Sequence, residues 1–221
     1  MMQGLKIDIA LNIKIIINSN DSNDSSGNSG ELIRALNFLA KKRGKAAHSA
    51  VIAIVLEKKE MFFTPLTKLL RRKGDLAQGA VQVFGTLSYE KPKVQDAIRD
   101  CGAIEALIQL LFQEDQKDVV QRVIILEALS KIVHGNYKNQ ERILSSQRIP
   151  DSVQLLQIAE VRGPAADALR SMYESNNRNC GCWSNYFPHK VARSPAGSYL
   201  TRIVTGARYC INNILRNNRN S

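Results

Sequence analysis

The stretch CGAIEALIQLL, from Cys101 to Leu111, is a short apolar run that returns twice more in altered form. The other two copies are MFFTPLTKLL, from Met61 to Leu70, and QRIPDSVQLL, from Gln147 to Leu156. Their shared ends, LTKLL, LIQLL and SVQLL, begin at residues 66, 107 and 152, so they are separated by 41 and then 45 residues. Recurrence at this interval is typical of proteins built from stacked structural repeats.

The similarity continues on both sides of the apolar run. Upstream, VQDAIRDCGAI and NQERILSSQRI align without a gap at an offset of 45 residues, which pairs Gln95 with Gln140. Downstream, AVQVFGTL, from Ala80, and ILEALSKI, from Ile125, line up at the same offset. Leucine, isoleucine, valine and alanine recur here at steps of three and four residues, which predicts amphipathic helices. Each unit therefore reads as a short helix, a turn, a helix ending in Leu-Leu, a polar loop and a longer third helix, whose apolar face needs a neighbouring unit.

This pattern resembles the armadillo repeat, in which a turn glycine precedes a leucine-rich helix that ends in Leu-Leu. The resemblance covers roughly residues 31–175, and the HEAT-type repeat is the structural alternative. It implies an all-α, right-handed solenoid of about three to four units. We divide the region into a degenerate first unit, two clear units and a shortened last unit, namely Glu31–Lys59, Glu60–Cys101, Gly102–Ser146 and Gln147–Ser175. The degenerate first unit leaves open whether the chain is a fragment or isoform of a longer repeat protein.

The armadillo resemblance also implies a concave groove lined by the third helices. In the nuclear-import receptors of this family, a ladder of tryptophan and asparagine in that groove grips an extended basic peptide. The tryptophan places correspond to Gln82, Glu127 and Asp167 in this sequence, and the asparagine places to Thr86, Lys131 and Ser171. None of the six matches, which disfavours binding of classical nuclear localisation signals.

Two interpretations of these six residues remain open. They form either an ordinary solvated face or a polar groove for a different peptide, in which Glu127 and Asp167 would pair with basic side chains and Lys131 with an acidic one. We expect the chain to act as a non-catalytic scaffold that binds a peptide or helix of another protein. An import-type adaptor is the nearest alternative. The oligomeric state stays open.

The first thirty residues differ in composition from the repeat region. Residues Leu5–Ile17 carry an apolar side chain at every odd position, which is the periodicity of a strand. A lone strand needs a partner edge, so it would add to a sheet, bind another protein or stay disordered. Residues 18–30, NSNDSNDSSGNSG, contain only small and polar side chains and predict a flexible linker. We therefore treat residues 1–30 as a flexible segment that precedes the folded repeats.

The charge excess lies at the two ends of the chain. Of 31 basic and 20 acidic residues, residues 61–175 hold 15 and 14, whereas residues 176–221 hold seven basic residues and no acidic one. This basic tail, residues 176–221, offers phosphate attraction together with several aromatic side chains. No nucleic-acid recognition module accompanies it. Binding of nucleic acid or an anionic membrane through the tail is therefore a secondary alternative.

Three smaller features of the tail carry predictions. Residues 199–215 predict a basic amphipathic helix, which we interpret as a cap on the last repeat, with a membrane-surface or calmodulin-binding helix as the alternative. Ser194 precedes a proline and is a weak candidate for phosphorylation. The side chains of Cys180, Cys182, His189 and Cys210 could bind zinc chemically, but their spacing is a poor match to common zinc sites, so we expect free thiols.

The sequence also bears on whether the chain is an enzyme or a membrane protein, and on its compartment. It has no Gly-rich phosphate loop and no nucleophile motif, so we expect neither an enzyme nor a resident cofactor. No segment has the roughly 18 to 20 apolar residues that a membrane helix needs. Only four cysteines in 221 residues favour a reducing compartment, which predicts the cytoplasm or the nucleus.

Overall fold

The computed structural model describes residues 2–19, 29–41, 44–72, 74–113, 118–144 and 162–173, with a few single positions between 146 and 161. The described residues form ten helices and no strand, so the all-helical prediction is confirmed. The helices are α1 (Met2–Asn18), α2 (Ser29–Ala40), α3 (Lys45–Glu57), α4 (Lys59–Leu69), α5 (Asp75–Ser88), α6 (Pro92–Asp100), α7 (Ala103–Leu111), α8 (Val119–Val133), α9 (Tyr137–Leu144) and α10 (Arg162–Tyr173).

Local sequence signals account for several helix ends. Gly102, directly before α7, adopts the left-handed conformation with φ of 73°, which glycine reaches without a steric penalty. Pro92 is the first residue of α6, a position where the missing N–H costs nothing. The side chain of Asp118 accepts a hydrogen bond of 2.9 Å from the backbone N–H of Val120 and so caps α8.

The helices pack in a repeating order. The unit Glu60–Cys101 contains α4, α5 and α6, and the unit Gly102–Ser146 contains α7, α8 and α9. Each helix of the earlier unit contacts its counterpart in the later one, so α4 packs on α7, α5 on α8 and α6 on α9. Stacking of equivalent helices is the arrangement expected when neighbouring units bury each other's apolar faces.

The longer helices that follow the helices ending in Leu-Leu belong to one continuous row, in which α5 packs between α2 and α8, and α8 packs between α5 and α10. We call this set of four helices the inner row. Two glycines let its helices approach closely. A Cβ added at Gly79 would lie 3.1 Å from the Leu36 side chain, and one at Gly85 would lie 3.2 Å from the Ala128 Cα. Small residues are therefore needed where these helices cross.

The N-terminal segment corrects the sequence interpretation, because residues 5–17 are helical and not a strand. In α1 the side chains of Ile9, Ile13 and Ile16 are buried, and the helix packs on α2, α3 and α4. The alternating pattern predicted wrongly because its odd positions also contain steps of four, such as Ile9 to Ile13, and Ile16, at an even position, adds the step of three that completes a helical face. Contact with three other helices then stabilises the helical form, so residues 2–18 belong to the helical array and are not the flexible segment expected.

The last unit is described only in part. Leu155, within the SVQLL copy, is buried, and α10 packs on α8 and α9. Residues 20–28 of the expected linker and residues 174–221 of the tail lie outside the described residues. Within the described part of the chain, no helix combines the length and the apolar character needed to cross a membrane.

Candidate functional site

The candidate site is a cleft between two helices of the inner row. Gln82 and Thr86 lie four residues apart on α5, and Glu127 and Lys131 lie four residues apart on α8. Because residues at i and i+4 share one face of a helix, each pair faces the same side. All four line a single cleft of about 160 Å³, together with Ala40 at the end of α2. We call these four polar residues the groove residues.

The cleft has a polar edge and an apolar floor. Glu127 is exposed, whereas Gln82, Thr86 and Lys131 are half-buried. Val81, Gly85, Ile124 and Ala128 also line the cleft, and the close approach of Gly85 to Ala128 brings the two helices together beneath the polar side chains. A carboxylate and an ammonium group therefore project from α8 beside an amide on α5, above a narrow apolar contact.

Thr86 has both a structural contact and a place in the cleft. Its hydroxyl donates a hydrogen bond of 3.1 Å to the carbonyl oxygen of Ala40, which satisfies a carbonyl at the C-terminal end of α2. The hydroxyl oxygen keeps lone pairs that can accept from a ligand. Thr86 therefore links α2 to α5 and also contributes an acceptor to the cleft.

The remaining two candidate residues do not line this cleft. Asp167 is exposed on α10. Ser171 is buried, with 5% of its surface exposed, and its hydroxyl lies 2.8 Å from the hydroxyl of Ser130 in a hydrogen bond that joins α10 to α8. Ser171 thus serves the contact between two helices.

Sequence reasoning missed a buried amide cluster behind the groove, formed by Gln95, Asn136, Asn139 and Gln140. The side-chain amide of Gln95, on α6, donates hydrogen bonds of 3.0 Å to the carbonyl oxygens of Lys131 and His134 at the end of α8. Gln95 therefore anchors the backbone of Lys131, whose side chain lines the cleft.

The Gln95 contact with Lys131 recurs one unit later as a contact between Gln140 and Ser171. The amide of Gln140, on α9, donates to the carbonyl oxygens of Val133 at 3.0 Å and Ser171 at 2.9 Å. Gln95 and Gln140 are the residues that pair at the 45-residue offset in the sequence, so the repeat preserves a hydrogen bond as well as an apolar pattern. The glutamine pairing was the signal that could have revealed these contacts.

Asn139 is the most heavily bonded member of the amide cluster. It is fully buried, and its amide nitrogen donates to the carbonyl oxygens of Gln95 at 2.9 Å and Ile132 at 3.0 Å. Its side-chain oxygen accepts a bond of 3.1 Å from Arg99. One side chain therefore ties α6, α8 and α9 together.

A charged pair borders the amide cluster on its solvent side. Arg99 donates a hydrogen bond of 2.6 Å to Asp96, which also accepts one of 3.1 Å from Asn136. Burial raises the pKa of Asp96, but the hydrogen bonds from Asn136 and Arg99 and the charges of Arg99 and Lys138 outweigh it, so the pKa lies below its ordinary value. This carboxylate stays ionised as part of the helix contact.

The described residues bring groups to this site that can bind a ligand. No group of three or more histidine, cysteine or carboxylate side chains within them could hold a metal ion. The remaining candidates, Ser194, the zinc ligands Cys180, Cys182, His189 and Cys210, and the helix at residues 199–215, all lie outside the described part of the chain. What the groove residues can do is pair with charges and exchange hydrogen bonds with a polar ligand.

Comparison with known proteins supports the fold alone. No family model matches the chain, and no curated protein matches it. Two crystal structures of engineered proteins from the Northeast Structural Genomics Consortium are similar to it, each at 20% sequence identity. The first has a TM-score of 0.58, and the match covers 92% of this chain and 79% of that one. The second has a TM-score of 0.62, and the match covers 89% of this chain and 47% of that one.

Proposed function

We propose that the chain is an armadillo-type, right-handed α-solenoid that acts as a non-catalytic protein-binding scaffold in the cytoplasm or nucleus. The ligand is an extended polar peptide of another protein, held against the inner row. The observation that carries the proposal is the cleft between α5 and α8, where four of the six residues at the family's ligand-binding places converge. The stacking of equivalent helices and the recurring glutamine contact support the solenoid part.

The chemistry of the cleft favours a ligand of mixed charge. Glu127 and Lys131 are four residues apart on one helix, so an extended peptide that runs along α8 in the cleft meets a carboxylate and then an ammonium group. Gln82, across the cleft on α5, can donate to and accept from a peptide backbone. A peptide with a basic residue next to an acidic one complements this arrangement better than a purely basic signal does.

The test is affinity capture from cell lysate with the full chain, followed by mass spectrometry of the retained proteins. The groove variant carries Gln82→Ala, Glu127→Ala and Lys131→Ala. The matched control carries Glu57→Ala, Lys59→Ala and Lys93→Ala, which removes charges from an outer cleft between α3 and α6. We expect a discrete partner to be lost with the groove variant and retained with the control, and then to bind the purified chain directly.

Other outcomes would support the alternatives. If all three proteins retain the same set, or only nucleic acid or anionic vesicles, the groove proposal fails and the basic tail becomes the functional element. If a purely basic peptide binds and the Glu127→Lys substitution abolishes its binding, the chain acts as an import-type adaptor. Protein-dependent turnover of a substrate would contradict the non-catalytic part of the proposal.

A further inference from the structure

A second surface, on the opposite end of the helical array from α10, is apolar and exposed. It is a groove of about 560 Å³ between α1 and the pair α3 and α4, and we call it the end groove. Its apolar lining includes Ile7 and Leu11 of α1, Ile54 of α3 and Met61 of α4. Three of the six large hydrophobic side chains that are exposed in the described residues, at Ile7, Leu11 and Met61, lie here.

The unusual sequence of α1 explains why this surface is apolar. Consecutive residues of a helix are 100° apart around its axis, so residues two positions apart are 200° apart. The alternating apolar residues of α1 therefore fall on both sides of the helix and form two apolar stripes. One stripe, with Ile9, Ile13 and Ile16, is buried against the array. The other contains Ile7 and Leu11, whose exposed fractions are 66% and 57%. A helix that is apolar on both sides is ordinarily covered on both sides, and nothing in the described residues covers the second.

The charges around the end groove restrict what can cover it. The charged residues that line it are Lys14 and Lys58, and neither forms an ion pair with another described residue. A second copy of the chain would bring the same two lysines and a net charge of +11 to the contact, which like-charge repulsion opposes. The basic tail, with seven basic residues and no acidic one, meets the same repulsion.

We infer that the end groove binds an amphipathic helix of a partner protein, with a leucine or isoleucine stripe flanked by aspartate or glutamate. The apolar stripe would cover Ile7, Leu11 and Met61, and the acidic flanks would pair with Lys14 and Lys58. The part of α1 that lines the groove runs from Ile7 to Asn18, about 16 Å at 1.5 Å per residue. That length matches about three turns of a docked helix, the geometry of helix-in-groove recognition.

Two synthetic helical peptides of about eighteen residues test this inference. Both carry the same leucine stripe at steps of three and four residues, one with glutamate flanks and the other with lysine flanks. Fluorescence anisotropy with the full chain measures the affinity of each. We expect the glutamate peptide to bind at least about tenfold more tightly, and this preference to shrink as salt is raised.

Substitutions at exposed positions keep the test independent of folding. Leu11→Ser with Met61→Ser should weaken the glutamate peptide by about tenfold or more, while Val120→Ser with Tyr137→Ser, which removes two exposed apolar side chains elsewhere, should leave it unchanged. Lys14→Glu with Lys58→Glu should reverse the preference between the peptides. Circular dichroism confirms that each variant is folded.

Three results would overturn the inference. The first is equal binding of both peptides, or binding that Leu11→Ser with Met61→Ser does not weaken. The second is a dimer in sedimentation that becomes monomeric with the same pair of substitutions, which would assign the end groove to a second copy. The third is a chemical cross-link within one chain from Lys14 or Lys58 to Lys190, which would assign it to the basic tail.

Discussion

The two sides of the α8 helix use polar residues in opposite ways. On the inner row, α8 meets α5 through small residues, with Gly85 against Ala128, and leaves Glu127 and Lys131 along the cleft. On the other side, α8 meets α6 and α9 through the buried amides of Gln95, Asn139 and Gln140. Polar residues therefore hold the helices together on one side and remain available to a ligand on the other, so the number of polar residues alone does not identify a site.

The largest effect should come from removing Asn139. Asn139→Ala removes the side-chain donor to the carbonyl oxygens of Gln95 and Ile132 and an acceptor of Arg99, and each polar group left unsatisfied costs about 1 to 3 kcal/mol. We expect the free energy of unfolding to fall by about 3 kcal/mol, measured by urea denaturation. Lys138→Ala, at the neighbouring exposed position, is the control and should change little. A loss under about 1 kcal/mol would mean that water replaces the amide.

The glycine contact of the inner row should have an intermediate effect. In Gly85→Ala the new Cβ would lie 3.2 Å from the Ala128 Cα, and backbone in a packed helix moves only with the whole helix. Overpacking costs about 1 to 3 kcal/mol, partly offset by the better helix propensity of alanine. We expect a net loss of about 1 kcal/mol and a lower melting temperature.

Gly4→Ala is the matched control for that substitution. It also replaces a helical glycine, but a Cβ at Gly4 has no neighbour within 4 Å. Helix propensity alone then applies, and the variant should be more stable by about 0.5 to 1 kcal/mol. Similar changes at both positions would argue against close packing between α5 and α8.

The groove residues should matter least for stability. Combining Gln82→Ala, Glu127→Ala and Lys131→Ala removes side chains that are exposed or half-buried, so each should change the free energy of unfolding by less than about 0.5 kcal/mol. Thermal denaturation measures this directly. If these residues proved as costly as Asn139, the cleft would be a structural contact and its assignment to a ligand would fail.

The Asp96 carboxylate borders the amide cluster and makes its contribution to stability dependent on pH. Since its pKa is lowered in the folded protein, the stability it contributes is present above the ordinary aspartate pKa of about 3.9 and is lost as pH falls through the lower, folded value. The difference in free energy of unfolding between the natural chain and Asp96→Asn should therefore shrink below about pH 4. A difference that stays constant from pH 7 to pH 3 would contradict the role of this pair.

Much of the helical arrangement followed from local sequence. Apolar residues at steps of three and four predicted the helices of the two clear units, and Gly102 and Pro92 stand at two of the helix starts in the structure. The four-residue spacing within each helix placed Gln82 beside Thr86 and Glu127 beside Lys131, and these pairs line one cleft. Periodicity suffices for such predictions because it fixes which side chains share a helix face.

The tertiary structure alone decided the rest, because the outcome depended on residues distant in sequence. Residues 5–17 carry a pattern compatible with a strand, and packing of α1 on α2, α3 and α4 makes them helical. The armadillo resemblance predicted Ser171 as a ligand-binding residue, yet a hydrogen bond to Ser130, 41 positions earlier, commits it to a helix contact. The sequence determined the helices of the two clear units, their repeat and the faces they present, whereas burial and long-range hydrogen bonds determined the form of α1 and which helix faces stayed open.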